Sequence, residues 1–249
     1  MSLGLIVIGD EILSGKRQDK HFAKVIELLK ARGMALDWAQ HLGDDRPRLA
    51  AALRASFARG DIVFVFGGIG ITPDDHTRQA VAAALEVGIA LHPDAEREIR
   101  ARFGGEITPQ RLMLGEFPVG SEIIPNPYNR IPGFSIRSHF FLPGFPVMSW
   151  PMLEWVLDTQ LAHLHHAVAR DERAIVVYEA PESGLLDMMN RIAREYPRAR
   201  LFSLPSFGGE GVRRHIELGM RGEPASVSAA MAEIRAEVTR LGYEWQERT

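Results

Sequence analysis

The densest run of residues able to do chemistry lies between Gly67 and Thr77, where Gly67-Gly68-Ile69-Gly70 precedes Thr72-Pro73-Asp74-Asp75-His76-Thr77. Glycine reaches backbone conformations that other residues avoid, so such a run can turn several N–H groups toward one anion. The same run also suits a tight turn between a strand and a helix. Carboxylates beside an anion-binding loop repel the anion unless a divalent cation lies between them, so Asp74 and Asp75 point to Mg²⁺ bridging a phosphate. Thr77 is placed to cap the following helix, and Pro73 stiffens the loop. Two shorter acidic segments, Gly9-Asp10-Glu11 and Gly43-Asp44-Asp45, follow apolar runs in the same manner. Asp10 suits a ligand contact or an Asx-turn.

Hydrophobic periodicity says what must position these loops. Residues 3–9, 34–42 and 61–66 read as strands, and residues 21–32, 47–59 and 77–85 as helices, with Gly33 as a C-cap candidate. Strands alternating with helices this long imply crossover units and a mainly parallel sheet covered on both faces. Ligands collect outside the carboxyl ends of such strands, so the loops after Ile8, Leu42 and Phe66 should share one rim. Residues 93–103 predict a further helix, 118–132 irregular chain, and 131–136 with 139–142 a hairpin. The Pro143-Gly144-Phe145-Pro146 turn starts a helix expected to reach about residue 166. Beyond residue 170 the order becomes strand, helix, strand, strand, helix, strand, the pattern of a ferredoxin-like α+β unit. The expected organisation is therefore an α/β domain over residues 1–168 and a ferredoxin-like domain over 169–249.

Composition narrows the class. The 249 residues are 46% hydrophobic and 24% charged, the balance of a globular chain with room for two cores. The longest apolar runs fall far short of the roughly 20 residues that span a bilayer, and no signal peptide is read at the N-terminus, so no membrane partner and a cytoplasmic location are expected. With no cysteine, disulfides and thiolate chemistry are excluded. A net charge of −3 supplies no general attraction for nucleic acid, which is not expected as a partner. His163, His165 and His166 read as a solvated helix end, and Gly208-Gly209-Glu210-Gly211 as a hairpin turn although it has the form of an RNA-binding G-x-x-G loop.

Four ordered motifs carry a resemblance. Residues 67–82, GGIGITPDDHTRQAVA, resemble the GGLGPTxDDxTxEAVA segment of the N-terminal domain of the competence-damage-inducible CinA proteins, and more distantly a segment of the MoaB and Mog molybdenum-cofactor proteins. GDEILSG at 9–15 resembles GxELLxG. Pro125-Asn126-Pro127 followed by Pro132-Gly133-Phe134 resembles PNPxGxAPGF, and Leu142-Pro143-Gly144 resembles an LPGPP turn. The likeness covers about residues 3–165 and implies a molybdopterin-binding-like three-layer α/β sandwich in a stand-alone relative without the CinA deamidase domain.

The resemblance implies that Asp44 and Asp75 are catalytic and hold a divalent metal, Mg²⁺ being expected. Gly9, Asp10, Glu11, Gly67, Gly68, Gly70, Thr72, Asp74, Thr77, Pro143 and Gly144 would contact the ligand. That ligand would be a phosphorylated small molecule, either molybdopterin or an adenine dinucleotide. The implied activities are metal-dependent hydrolysis of an ADP-ribose-type pyrophosphate or molybdopterin adenylyl transfer, in a homo-oligomer. The chain departs from the Mog pattern at Phe66 and Ile69, which stand where hydroxyl residues are found. Asp19-Lys20-His21 and Arg111-Leu112-Met113-Leu114 also replace more polar stretches. These departures motivate the alternative of a non-catalytic binding or assembly module.

Overall fold

The computed structural model describes residues 2–167, 169, 171–209 and 211–248. The chain divides into two compact units, Met1–Ala167 and Val168–Thr249.

The first unit runs β1 (Leu3–Ile8), α1 (Asp10–Leu13), α2 (His21–Ala31), β2 (Trp38–Leu42), α3 (Arg46–Arg59), β3 (Ile62–Phe66), α4 (Thr77–Leu85), β4 (Ile89–Leu91) and α5 (Pro93–Phe103). It continues through α6 (Pro109–Leu112), β5 (Glu116–Pro118), β6 (Glu122–Ile124), β7 (Gly133–Ile136), β8 (His139–Leu142) and α7 (Pro146–Trp155). Its six-stranded sheet has the order β2-β1-β3-β8-β7-β6. The first four strands are mutually parallel, while β7 and β6 join antiparallel.

Alternation along the buried strands explains the layering, because successive side chains point to opposite faces. Leu5, Val7, Phe64 and Phe66 pack on Val25, Leu28 and Leu29 of α2 and Met152 and Leu153 of α7. Ile6, Ile8, Val63 and Val65 pack on Leu49 and Leu53 of α3 and Ala80, Val81 and Ala84 of α4. One apolar run thus serves two cores, and the result is the expected three-layer α/β sandwich. Truncating Phe64, which is fully buried, would cost about 3–5 kcal/mol.

Three local expectations needed correction. The second strand begins at Trp38 rather than residue 34, because Gly33 at φ 67° turns Met34 back onto α2, where its N–H donates to the Leu29 carbonyl at 2.9 Å. The segment after Gly9 is a single helical turn, α1, rather than a plain loop. The last helix stops at Trp155, after which Val156–Gln160 widens into a π turn closed by Leu161 N–H on the Val156 carbonyl at 3.1 Å.

The second unit contains β9 (Asp171–Tyr178), α8 (Glu182–Glu195), β10 (Ala199–Ser206), β11 (His215–Gly222), α9 (Pro224–Arg240) and β12 (Trp245–Glu247). Its sheet order is β10-β11-β9-β12 with every neighbouring pair antiparallel, the ferredoxin-like topology. Here only one face is covered by helices: Ile175, Val177, Ile216, Leu218 and Met220 meet Leu185, Met188, Val227 and Ile234. The glycines at 208, 209 and 211 lie in the β10–β11 connection, with Gly209 bridged to Val212, and Glu210 of that motif lies outside the described residues. No helix among the described residues is long and apolar enough to cross a membrane.

Candidate functional site

Four parallel strands send their carboxyl ends to one edge of the first unit, and the loops there enclose a cleft of about 430 Å³. Gly9, Glu11, Asp44, Gly67, Gly68, Gly70, Thr72, Asp74, Asp75, Pro143 and Gly144 line it. Asp10 and Thr77, also assigned to the ligand, are not part of the lining.

Both of those residues instead hold the rim together. Asp10 accepts from the Asp44 N–H through Oδ1 at 3.2 Å, and its own N–H donates to Asp44 Oδ2 at 2.9 Å, so the β1 and β2 loops clasp each other. Thr77 is fully buried; its hydroxyl donates to the Gly67 carbonyl at 2.9 Å and its N–H to the Gly68 carbonyl at 3.0 Å. It does not cap α4, whose N-cap is His76 without a side-chain bond. Tied this closely, the loop admits only glycine at its first two positions. Gly67 has φ 104° and Gly68 φ 66°, and an added Cβ would run into the Ile8 carbonyl oxygen and the Thr77 hydroxyl respectively.

Asp75 closes the far side of the loop. Its Oδ2 accepts from the Thr72 N–H at 2.8 Å and the Thr72 hydroxyl at 2.5 Å, and its N–H returns to the Thr72 carbonyl at 3.0 Å. Arg78, 4% exposed, braces this turn from below. Its guanidinium donates to the carbonyls of Gly70, Met113 and Glu116. Burial lowers the Arg78 pKa from its ordinary value, against the opposing pull of the Glu116 and Asp75 carboxylates. Sequence reasoning passed over Arg78; a lone arginine inside the apolar Thr77–Leu85 helix was the available signal.

Burial and the neighbouring acids of the rim act together on Asp44. Partial burial pushes its carboxyl above the ordinary value; the Asp10 N–H opposes this, and the nearby Asp10, Glu11 and Asp74 carboxylates add to the rise. Such a group gains from any cation that enters. Among the described residues no donor reaches Asp44 Oδ1 or Asp75 Oδ1, so each aspartate keeps one uncommitted oxygen. Arg17, also missed from the sequence, is the cation in the lining; its N–H is anchored to the Glu11 carbonyl at 2.9 Å, and it forms no ion pair among the described residues.

The remaining lining is mainly apolar: Ile69 and Ile71 of the glycine loop, and Leu114, Ile131, Phe145 and Met148 together with Asn126 and Asn129. The asparagines shape the β6–β7 connection. Asn126 bonds the Ile131 carbonyl and the Tyr128 N–H, and Asn129 accepts from the Ile131 N–H at 3.0 Å. Phe66, at the end of β3, is fully buried and stacked on the His21 ring with centroids 4.3 Å apart. Two of the positions that depart from the Mog pattern therefore pack on each other. Burial lowers the His21 pKa, and its Nε2 must carry the proton because its partner at 3.1 Å is the Gly144 carbonyl oxygen. Of the 111–114 stretch only Leu114 lines the cleft, while the Arg111 guanidinium lies over the Phe103 ring at 4.3 Å. His165 bonds the Leu157 carbonyl at 2.9 Å, and the histidines near 165 form no metal-binding group among the described residues.

Comparison with known proteins bears on residues 4–163, which match the family described as the probable molybdopterin binding domain. A CinA-like protein of Anaeromyxobacter sp. strain Fw109-5 is 35% identical over 187 residues, covering 72% of this chain and 45% of the relative. A putative competence-damage inducible protein of Lacticaseibacillus paracasei is 31% identical, covering 78% of this chain and 49% of the relative. The chain thus spans about half the length of these curated relatives. The crystal structure of CinA from Thermoplasma acidophilum, a protein described as of unknown function, aligns with TM-score 0.58 and 26% identity over 64% of this chain and 98% of that one. By its motifs, its three-layer sandwich and its matched length, the chain belongs to the probable molybdopterin binding domain family, alongside its CinA-like relatives.

Proposed function

We propose that the cleft binds a phosphorylated small molecule carrying a flat heterocycle, molybdopterin or an adenine dinucleotide such as ADP-ribose, and cleaves or forms a phosphoanhydride bond there. The observation that carries this reading is the rim itself: a glycine loop whose N–H groups suit an anion stands beside Asp44, whose carboxyl is pushed up by burial and by three neighbouring acids.

A divalent cation fits this donor set. Among the described residues no three His, Asp or Glu side chains gather into a metal site, and Mg²⁺ typically takes one or two carboxylates and completes its shell with water and phosphate oxygens. Asp44 and Asp75 would hold it through their free Oδ1 atoms. When bound, the ion supplies Lewis-acid polarisation of a phosphoryl oxygen. Arg17 neutralises phosphate charge, the glycine loop orients the phosphate, and a carboxylate of the acidic cluster orients the attacking water. Oligomerisation of the chain and a cytoplasmic setting belong to the same proposal.

The test is a thermal-shift panel of molybdopterin, ADP-ribose and related dinucleotides with Mg²⁺, followed by turnover assays with Mg²⁺, Mn²⁺ or Co²⁺. A ligand at 100 times its Kd stabilises the fold by about 2.7 kcal/mol. A second reading, a non-catalytic binding module, draws on the stacked His21–Phe66 pair and on the commitment of Asp75 Oδ2 to Thr72. Binding without turnover under any metal selects it; absence of both binding and turnover overturns the small-molecule reading.

A further inference from the structure

Phe145 sits where folding alone asks for something else. It is the N-cap of α7, a position that favours Ser, Thr, Asp or Asn because their side chains accept a helix N–H, and its side chain makes no such bond. Burial does not compensate, for the residue is 54% exposed. The backbone beneath the ring is nevertheless fixed: the Phe145 carbonyl accepts from Met148 N–H at 3.0 Å, Ser149 N–H at 2.9 Å and the Ser149 hydroxyl at 3.0 Å. One turn on, Met148 also lines the cleft, its Sδ held by Asn129 Nδ2 at 3.2 Å. An exposed aromatic on a firm mount beside a polarisable thioether is a surface suited to a flat ring.

Strand order gives this surface a direction. The acidic and glycine loops follow β1, β2 and β3, whereas Phe145 and Met148 follow β8, the next strand, and Asn129 and Ile131 join β6 to β7 beyond it. All the charged residues of the lining follow β1, β2 or β3; beyond β3 the lining is uncharged, with Phe145, Met148 and Ile131 beside two asparagines.

We propose that Phe145 and Met148 form the platform on which the ligand's heterocycle, a purine or a pterin, stacks while its phosphates lie along the glycine loop. This rests on the phosphate-binding reading above and adds the ring subsite and the orientation.

The test is calorimetric titration of the full chain with Mg²⁺, using ADP-ribose, 6-hydroxymethylpterin diphosphate and inorganic pyrophosphate as probes. Phe145→Ser supplies the missing cap, so thermal stability should hold or rise while affinity for a ring-bearing probe falls by about tenfold to a hundredfold. Pyrophosphate affinity should not change, and Phe145→Tyr should bind the ring-bearing probe as wild type does. The probe whose affinity depends on Phe145 names the ring. Equal affinity of wild type and Phe145→Ser for both ring-bearing probes overturns the platform, as does a parallel loss for all three probes. Binding of pyrophosphate alone to the wild type overturns the platform and leaves the phosphate reading standing; binding of none overturns both.

Discussion

The two ends of the parallel sheet treat buried charge in opposite ways. At the amino ends of β1, β3 and β8, Asp61 accepts from the Ser2 hydroxyl and the Arg59 guanidinium, both at 2.7 Å. Burial pushes its carboxyl up, but these bonds outweigh it and hold the group below its ordinary value. Beside it His139 is wholly buried, with Nε2 2.7 Å from the Ser56 hydroxyl and Nδ1 3.0 Å from the Arg137 carbonyl, and burial lowers its pKa to about 4. At the carboxyl ends, Asp44 is raised by burial and by like charge, and among the described residues one oxygen each of Asp44 and Asp75 has no donor. One end is saturated and contributes to stability. The other leaves carboxylate charge uncompensated, the electrostatic condition that the proposed cation and phosphate would relieve.

The contrast between the two ends can be tested by three substitutions and by pH. Asp75→Asn should reduce turnover of ADP-ribose or a related dinucleotide by about a hundredfold to a thousandfold, since removing one electrostatic stabiliser typically costs that much. Its amide oxygen can still accept from Thr72, so thermal unfolding should be unchanged. Turnover equal to wild type would make Asp75 a turn residue and the carboxyl end structural like the amino end.

Next comes pH. His139 has its folded pKa depressed from 6.5 to about 4, so between these values the unfolded chain binds a proton that the folded chain refuses. Stability therefore falls as pH drops from 6.5 to 4, by about 3 kcal/mol from this group. Asp61, also depressed, adds to the loss as pH falls further, because its stabilisation exists only while it is ionised. Urea unfolding at a series of pH values, read by the fluorescence of Trp38, Trp150 and Trp155, measures the slope; a flat profile from 6.5 to 4 would show that His139 is not the buried neutral group described.

Asp61→Ala should lower the unfolding free energy by about 2 kcal/mol, because it strips the Ser2 hydroxyl and the Arg59 guanidinium of a shared acceptor. Arg59 is about half exposed and can turn to water, which keeps the loss below that of a fully buried pair. Equal urea midpoints for the two proteins would remove the distinction between the ends.

The smallest effect has the opposite sign. Asp44→Asn removes a charge held above its ordinary pKa among Asp10, Glu11 and Asp74, so stability at neutral pH should rise by about 0.5 kcal/mol while Mg²⁺-dependent binding weakens. Calorimetric unfolding and Mg²⁺ titration check both halves. A loss of stability would mean that the clasp between Asp10 and Asp44 matters more than the repulsion.

The sheet, most of the helices and the glycine loop were legible in the sequence, since they rest on local regularities. Apolar runs at 3–8 and 62–66 can be buried on both faces only between helices, and a glycine turn after such a strand falls on the shared rim. The sequence also placed the loops that carry Asp44 and Asp75 on one rim, because parallel strands deliver their ends together; Gly144 reaches that rim through the parallel pairing of β8 with β3. Tertiary structure alone decided what each residue does there. Thr77 looked like a helix cap and became a tie to Gly67; Asp10 looked like a ligand contact and became a clasp on Asp44. Arg78 bridges segments some 35 residues apart in sequence, and the Asp44 carboxyl is raised by acids from two other loops. Phe145 shows the same limit: nothing local marks a helix-cap phenylalanine as part of a cleft. Hydrogen-bond partners, burial and the sum of nearby charges are properties of positions in space, and chain spacing specifies them only after the loops have been brought to one edge.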